Sequence, residues 1–171
     1  MLKGTKVFLR TLEPTDSELL LDWENDPSNW KVSNTMVPFS KELIYQYVHS
    51  AQDIYAVKQV RFIVCCCEDE REVGAVDLFD FDPKHQRAGV GILIRGEEQS
   101  KGFAAEALQL VEDYALNHVG IRNLYCNILE DNDRSIALFE KQRFIKVGHK
   151  SNWFNHGGRW LDEFLYQKEL V

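Results

Sequence analysis

A short polar loop in the second half of the chain is the feature that most limits what the chain can fold into. The loop reads Gln99-Ser100-Lys101-Gly102-Phe103-Ala104, and it lies between a β-branched run at residues 90–94 and an amphipathic pattern at about 105–118. A strand, a short loop with a glycine and a long helix can form a phosphate cradle, because loop amides can point inward and the helix N-terminus carries partial positive charge. The same spacing also fits an ordinary strand-to-helix connection in which Gly102 only relieves backbone strain. The loop therefore predicts anion binding, and the rest of the chain has to decide between the two interpretations.

The size and composition of the chain are those of one globular α/β domain spanning residues 1–171. Of its 171 residues, 44% are hydrophobic and 27% are charged, which suffices for a sizeable core. The formal net charge of −7 argues against binding to a nucleic-acid backbone. No apolar run approaches the roughly 20 residues that cross a bilayer, and residues 1–6 lack the apolar stretch of a signal peptide. We therefore expect neither a nucleic-acid partner nor a membrane partner.

The cysteines indicate a reducing compartment. Cys65, Cys66 and Cys67 are adjacent, so they alternate across a strand and do not form a disulfide framework, and Cys126 stands alone. No paired Cys-x-x-Cys or Cys/His spacing in the sequence suggests a metal site. The sequence predicts a cytoplasmic protein without a bound metal, in which these cysteines pack within strands.

Periodicity along the chain predicts a mixed, largely antiparallel sheet flanked by helices. A Thr-x-x-Glu capping box at Thr15 and a serine cap at Ser40 predict two helices that follow a first strand. Residues 28–39 show no clear period and are predicted as an irregular segment that lies under a helix or lines a cleft. Short turns join the next three strands, so these strands form an antiparallel meander. The predicted strands lie at residues 6–10, 60–67, 73–81, 87–94, 123–130, 144–149 and 159–170, with a short helix capped by Asn132 before the last two.

These motifs, taken in order, resemble the GNAT N-acetyltransferase superfamily over nearly the whole chain. That superfamily binds acetyl-CoA with a loop of the form Gln/Arg-x-x-Gly-x-Gly/Ala, which residues 99–104 match. The chain is similar to the branch that holds ribosomal-protein alanine acetyltransferases and spermidine N-acetyltransferases. The likeness to the branch rests on Val7-Phe8-Leu9-Arg10-Thr11-Leu12-Glu13-Pro14-Thr15-Asp16, Trp23-Glu24-Asn25-Asp26-Pro27, Glu106-Ala107, Asn132-Asp133-Arg134-Ser135, Phe139-Glu140-Lys141 and Gly158-Arg159-Trp160 with Asp162. The resemblance implies a single GNAT-like domain with a splayed cleft that takes acetyl-CoA as co-substrate.

The resemblance also implies which residues contact acetyl-CoA. Amides of residues 100–104 would bind the pyrophosphate, and exposed backbone groups of Ile92 and Ile94 would pair with the pantetheine arm, beside a bulge that splays two strands. Lys141 would reach a phosphate, although a helical lysine is more often only solvated. The implied contacts are Ile92, Ile94, Gln99, Ser100, Lys101, Gly102, Phe103, Ala104, Asn132, Ser135, Phe139 and Lys141.

A few positions depart from the pattern of the branch. Spermidine-type members carry a tyrosine where this chain has Phe139, and that hydroxyl can protonate the departing CoA sulfur, whereas phenylalanine has no proton to give. Relatives on the alanine-acetyltransferase side often carry an aliphatic residue there, so the change concerns mechanism and subfamily. Many members of the branch carry a second small residue, usually glycine, at the loop position where this chain has Ser100. Arg143 stands where a glycine is usual, which bears on how the preceding helix ends.

The implied reaction is direct attack of a primary amine on a thioester, without a covalent enzyme intermediate. An alkyl amine has a reference pKa of about 10.4 and must first lose a proton, either to a carboxylate or to a water chain. Asp77 is the first candidate for the base, because it lies in mid-strand between apolar neighbours where burial would make a carboxylate more basic. Glu130 and His85 are further candidates, and the amide of Ile94 is the candidate donor to the oxyanion. A solvated surface charge is the ordinary role of any single carboxylate.

The identity of the acceptor stays open on the sequence alone. Trp30 and Phe39 are the aromatic candidates to line an acceptor pocket together with Asp77, whereas most aromatic residues of a domain this size lie in its core. The candidate acceptors are a polyamine or another small amine, an amino-sugar, and a protein or peptide N-terminus. A non-catalytic acyl-CoA-binding regulatory module is the alternative function. An exposed C-terminal strand offers an edge for a homodimer.

Overall fold

One sheet organises the protein in a computed structural model that describes residues 2–33, 35–50 and 53–171. The strands are β1 (Leu2–Lys3), β2 (Val7–Thr11), β3 (Val60–Cys66), β4 (Glu72–Asp82), β5 (Arg87–Ile94), β6 (Asn123–Leu129), β7 (Ile145–His156) and β8 (Arg159–Glu169). Their order in the sheet is β1-β2-β3-β4-β5-β6-β8-β7. Neighbours are antiparallel except β5 and β6, which run parallel. The predicted mixed, largely antiparallel sheet is confirmed.

Helices pack on both faces of this sheet. They are α1 (Ser17–Glu24), α2 (Pro27–Ser33), α3 (Lys41–His49), α4 (Ile54–Val57), α5 (Phe103–Tyr114) and α6 (Asp133–Lys141). The Ser40 cap of α3 is confirmed, since Ser40 Oγ accepts a hydrogen bond from the Leu43 amide at 3.2 Å. The helix predicted over about 105–118 begins two residues earlier and ends in a wider turn, Ala115–Val119. The strand β1 and the one-turn helix α4 were not predicted, because two and four residues are too few to show a period.

The start of α1 differs from the prediction. The reciprocal contact of a capping box joins Glu13 and Asp16: the Glu13 amide donates to Asp16 Oδ2 at 2.8 Å. Arg10 holds the same carboxylate through two hydrogen bonds of 2.7 Å each. The capping box predicted at Thr15 is therefore wrong, because a basic residue on β2 fixes Asp16 as the capping group.

The segment predicted as irregular contains α2. This helix has Pro27 as its first residue, a position where proline's missing N–H is not needed. The Trp30 indole Nε1 donates to the Glu24 carbonyl at 3.0 Å and so ties α2 to the end of α1. Two turns held by such a contact leave no amphipathic period in the sequence, so the prediction of irregular structure is wrong for residues 28–33 and holds for residues 35–39.

A cleft opens where β5 and β6 diverge. The two strands pair only over Arg87–Gly89 and Asn123–Tyr125, and beyond these residues they separate toward their C-terminal ends. The β4–β5 ladder keeps one register from Gly74↔Ile94 to Phe79↔Gly89. The register of this ladder shifts, as at a β-bulge, between Phe79 and Asp82. The bulge predicted near residues 92–94 is therefore misplaced, whereas the predicted splaying of two strands is confirmed.

The core consists of two clusters, one on each face of the sheet. Alternation along β2 and β3 divides their side chains between the clusters, so Cys66 lies in one and Cys65 in the other. The first cluster packs against α5 and the second against α1 and α3. Cys65, Cys66 and Cys126 are buried within strands, which confirms the predicted packing role for these three, whereas Cys67 is partly exposed in the turn after β3.

The edges of the sheet are β1 and β7, and the C-terminal strand β8 is not an edge, because it lies between β6 and β7. The edge predicted for a homodimer therefore moves to residues 145–156. Among the described residues, none of the helices is long and apolar enough to cross a membrane. The described residues also contain no group of three or more His, Cys, Asp or Glu side chains that could hold a metal ion.

A buried ion pair between α5 and β8 allows a test of the core. Lys168 Nζ lies 2.6 Å from Glu112 Oε2, the side chains are 18% and 11% exposed, and Glu112 Oε1 has no hydrogen-bond partner among the described residues. Burial raises the pKa of Glu112, although Lys168 acts in the opposite direction. We expect Glu112→Leu alone to lower the free energy of unfolding by about 3 kcal/mol, because it leaves a buried ammonium without its partner. The double variant Glu112→Leu/Lys168→Met should be at least as stable as the wild type in urea denaturation, and an equal loss in both variants would contradict this account.

Candidate functional site

Two cavities meet at the splayed strands. The loop cavity, of about 1100 Å³, lies between α1–α2 on one side and the end of β5, the 94–105 segment and α6 on the other. The sheet cavity, of about 730 Å³, lies over β4, β5 and β6 and extends to β7 and β8. Both are lined by Val32, Ile92, Leu93, Asn132 and Ser135. A molecule in one cavity therefore meets a molecule in the other at the gap between β5 and β6.

The loop of residues 99–104 has the geometry of an anion cradle. Ser100 and Gly102 both have left-handed backbones, with φ of 65° and 86°, and Gly102 immediately precedes α5 without a capping side chain. The first amides of an α-helix have no acceptor within the helix, so those of α5 stay available for a ligand. A Cβ on Gly102 would lie 2.9 Å from Lys6 Nζ, which itself donates to the Lys101 carbonyl at 3.1 Å. The left-handed backbone at this position therefore favours glycine, whereas the flexible Lys6 side chain can move away from a Cβ.

Ion pairs hold this loop against the β3–β4 turn. Glu98 accepts hydrogen bonds from Arg71 at 3.2 and 3.0 Å and from Lys101 Nζ at 2.9 Å. The bonds from Arg71 and then Lys101 lower the pKa of Glu98 to about 2, so this carboxylate is ionised in every neutral buffer. The Lys101 side chain is directed at Glu98, and Lys101 is absent from the described lining of the loop cavity, so its contact with a ligand stays a prediction.

The backbone of β5 presents hydrogen-bonding groups to the cleft. The Arg95 amide donates to the Val73 carbonyl at 3.0 Å, and such bonds recur at every second residue of an antiparallel ladder. Leu93 and Gly91 therefore face β4, whereas the N–H and C=O groups of Ile92 and Ile94 face the gap. Gln99 Nε2 donates to the Ile94 carbonyl at 2.9 Å, which leaves the Ile94 amide and both groups of Ile92. This arrangement supports the predicted pairing of an extended ligand with the strand.

Helix α6 completes the loop cavity with a cap and two cations. Asn132 Oδ1 accepts from the Ser135 amide at 3.2 Å, which confirms the predicted cap. Arg134 and Lys141 both line the cavity, and they lie seven residues apart on one side of the helix. Arg134 was missed by the sequence reasoning, although its two-turn spacing from Lys141 is a signal that could have identified it. The helix ends at Lys141, and Arg143, two residues beyond it, adopts φ of 66°, so an arginine takes the left-handed position that glycine usually occupies.

Phe139 and Phe39 belong to the sheet cavity. Phe139 is buried and packs edge-to-face on Phe144 with ring centroids 4.9 Å apart. It lines the sheet cavity and not the loop cavity, so it forms part of the sheet-cavity wall. The predicted position of Phe39 in the cavity wall is confirmed, whereas Trp30 lines neither cavity in the described chain, because its indole packs on the end of α1.

Asp77 lies in the sheet cavity, but it is not an isolated carboxylate. Its Oδ1 and Oδ2 accept from Arg61 Nε at 2.6 Å and Nη2 at 3.0 Å. The premise of an isolated buried carboxylate is thus wrong, because Arg61 lies directly opposite Asp77 in the β3–β4 ladder. Both carboxylate oxygens are therefore already engaged by the Arg61 guanidinium. The role of Asp77 as the base stays a prediction.

The other candidate bases are engaged elsewhere. Glu130 Oε1 accepts from the Asp162 amide at 3.1 Å, and His85 donates its own amide to Asp82 in an exposed turn. Neither residue lines either described cavity. The sheet cavity instead contains Glu24 and Glu163, which the sequence reasoning did not select as catalytic or binding residues.

Comparisons with known proteins agree with this geometry. A family model described as acetyltransferase (GNAT) domain matches residues 6–145. The spermidine N(1)-acetyltransferase of Escherichia coli K12 is 30% identical over 159 residues, which covers 90% of this chain and 81% of that protein. An uncharacterised N-acetyltransferase, p20 of Bacillus licheniformis, is 24% identical over 94% of this chain and 91% of its own length. The chain belongs to the GNAT acetyltransferase family.

Solved structures show the same fold. The crystal structure of spermidine N-acetyltransferase from Vibrio cholerae, in complex with CoA and spermine, has a TM-score of 0.84 and 23% sequence identity, and it covers 98% of this chain and 97% of the solved chain. The protein is therefore an N-acetyltransferase of the GNAT fold that uses acyl-CoA, as the resemblance implied. None of these comparisons supports a peptide N-terminus as the acceptor.

Proposed function

We propose that the protein transfers the acetyl group of acetyl-CoA to a primary amine of a polyamine such as spermidine. The observation that carries this proposal is the sheet cavity itself, whose wall contains several carboxylates and aromatic rings. Carboxylates attract ammonium groups, and aromatic faces add cation–π attraction. The name of the E. coli relative points to the same class of acceptor.

The loop cavity fits acetyl-CoA as the donor. Amides of residues 100–104 and the start of α5 would hold the pyrophosphate, and Arg134 and Lys141 would face its phosphates. The remaining backbone groups of Ile92 and Ile94 would pair with the pantetheine arm. Because these residues lead from the loop cavity to the gap between β5 and β6, the thioester would lie at the junction of the cavities.

Chemistry at the junction needs a proton acceptor, an oxyanion donor and a proton donor. The acceptor amine must lose a proton, and ordered water or Asp77 would take it. The Ile94 amide, which faces the gap, would stabilise the tetrahedral oxyanion. Phe139 supplies no proton to the departing thiolate, but Ser135 lines both cavities, and its hydroxyl would pass a proton to the sulfur while it regains one from the group that deprotonated the amine. The direct transfer then needs no covalent enzyme intermediate.

The role of Ser135 is testable without disturbing the fold. We expect Ser135→Ala to lower kcat by about a hundredfold, because general acid catalysis is lost, while the KM for acetyl-CoA changes little. The helix cap survives, since it uses the Ser135 amide. The matched control is Ser17→Ala, whose hydroxyl bonds to the Pro14 carbonyl away from both cavities. An unchanged kcat for Ser135→Ala in steady-state assays would exclude Ser135 as the proton donor.

A panel of amines tests the proposed function directly. CoA release is followed with a thiol reagent while spermidine, spermine, an amino-sugar, an aminoglycoside and an N-terminal peptide are each supplied with acetyl-CoA. The proposal predicts the highest kcat/KM for a polyamine. Faster turnover of an amino-sugar or a peptide would contradict it, and acetyl-CoA binding without turnover on any amine would instead favour the regulatory acyl-CoA-binding module.

A further inference from the structure

We propose that Glu24 determines acceptor specificity by binding an ammonium group of the acceptor other than the one that is acetylated. This inference rests on the proposed function, and it names the part of the polyamine that the sheet cavity recognises. Glu24 is the last residue of α1, and it lines the sheet cavity together with Arg61 and Asp77.

A single arginine joins the two carboxylates. Arg61 binds both oxygens of Asp77, and its Nη1 lies 2.5 Å from Glu24 Oε1. The guanidinium lies over the Tyr47 ring at 5.6 Å, which fixes its plane. The side chains of Arg61, Glu24 and Asp77 are only 17–21% exposed, so the cluster is held rigidly at the cavity wall.

The charges of this cluster do not cancel. The two-point contact with Asp77 already neutralises Arg61, so Glu24 leaves one negative charge in excess. Glu24 Oε2 has no hydrogen-bond partner within the described ranges, and its side chain is 18% exposed. A partly desolvated carboxylate is costly unless a cation approaches it. A ligand ammonium in the sheet cavity would supply that cation.

The surroundings of Glu24 are shaped for an extended cation. Asn25, the next residue, makes two side-chain hydrogen bonds with the Phe39 backbone, of 2.9 and 2.7 Å, and so holds an aromatic ring of the cavity wall beside Glu24. The cavity also contains Phe79 and Trp153, whose faces favour methylene groups and ammonium groups. Glu24 and Ser135 line the same cavity, so we expect a polyamine whose reacting amine lies at Ser135 to reach Glu24 with a second ammonium group, and a short monoamine not to reach it.

The experiment compares Glu24→Gln with the wild type on spermidine and on propylamine, a monoamine of similar spacing. Glutamine keeps an oxygen that accepts from Arg61, so only the excess charge is removed. We expect kcat/KM for spermidine to fall about tenfold or more, and kcat/KM for propylamine to change less than about twofold. The control is Glu18→Gln on the same helix, whose carboxylate is 76% exposed and contacts Lys41. It should leave both values unchanged.

Each outcome decides the matter. An equal loss on both amines, or no loss on spermidine, overturns the role of Glu24. If the wild type acetylates neither amine, the proposed function fails, and calorimetric titration of spermidine into the CoA complex decides on Glu24 separately. Weaker binding by Glu24→Gln then supports the inference, whereas equal affinity, or no binding to the wild type, overturns it. A thermal unfolding midpoint equal to that of the wild type shows that the variant is folded.

Discussion

Replacing Gly102 with valine will raise the KM for acetyl-CoA by about a hundredfold, which corresponds to about 3 kcal/mol of lost donor binding. Gly102 has φ of 86°, which a β-branched residue adopts only under strain, and its new Cβ would lie 2.9 Å from Lys6 Nζ. Relief of this backbone strain moves the loop, and its amides leave the positions from which they would bind the pyrophosphate. Initial rates at varied acetyl-CoA, with the amine held constant, measure this effect.

A matched glycine separates loop geometry from general backbone strain. Gly120 has φ of 81°, and a Cβ there would meet no heavy atom of the described chain within 4 Å. It lies outside the described lining of both cavities. Gly120→Val should therefore lower stability without changing the KM for acetyl-CoA. If both variants gave the wild-type KM, the loop would not be the donor site.

The second large effect is expected from Glu106→Ala. The Glu106 carboxylate accepts four hydrogen bonds of 2.7–3.0 Å, from the amides of Thr5, Lys6 and Val7 and from the Thr5 hydroxyl. These bonds fix the β1–β2 turn to α5, one turn beyond the anion cradle. Their loss should cost about 2 kcal/mol of unfolding free energy in urea denaturation. It should also raise the KM for acetyl-CoA, because the turn carries Lys6, which donates to the loop.

The effect of Glu106 depends on pH in a defined direction. Burial raises the pKa of Glu106, but the hydrogen bonds from Thr5, Lys6 and Val7 outweigh it, so the folded-state pKa lies below the ordinary value. The stabilisation is therefore complete above the ordinary pKa of about 4.5 and is lost as the pH falls through the lower folded-state value. The stability difference between wild type and Glu106→Ala should shrink over that acidic range. The control is Asp113→Ala on α5, which removes an exposed hydrogen bond from Asn117 in the following turn. Its stability should differ little from that of the wild type. A pH-independent difference for Glu106→Ala would contradict the account.

Features governed by local sequence were predictable. The bounds of β5, the Asn132 cap and the loop before α5 all follow from periodicity, capping chemistry and one glycine. The anion cradle depends on consecutive residues, so the pattern contains the information needed to place it.

The remaining features depend on residues far apart in the chain. Arg10 selects Asp16 as the capping group, and Arg61 engages Asp77 across two strands, so neither carboxylate has the environment that its neighbours in sequence suggest. Trp30 lies outside both described cavities because its indole donates a hydrogen bond to the Glu24 carbonyl at the end of α1. The wall of the sheet cavity is assembled from α1, β4, β6 and the β7–β8 hairpin, and no single stretch reveals that assembly.

Intact-mass analysis of the protein and the amine in one reaction tests the central claim most directly. The protein is first incubated with acetyl-CoA alone, and spermidine is then added. Direct transfer predicts an unmodified protein throughout, no CoA release before the amine is added, and then one acetylated spermidine for each CoA released. An acetylated protein that accumulates before the amine is added, or CoA release that leaves spermidine unmodified, would contradict direct acetyl transfer from acetyl-CoA to a polyamine.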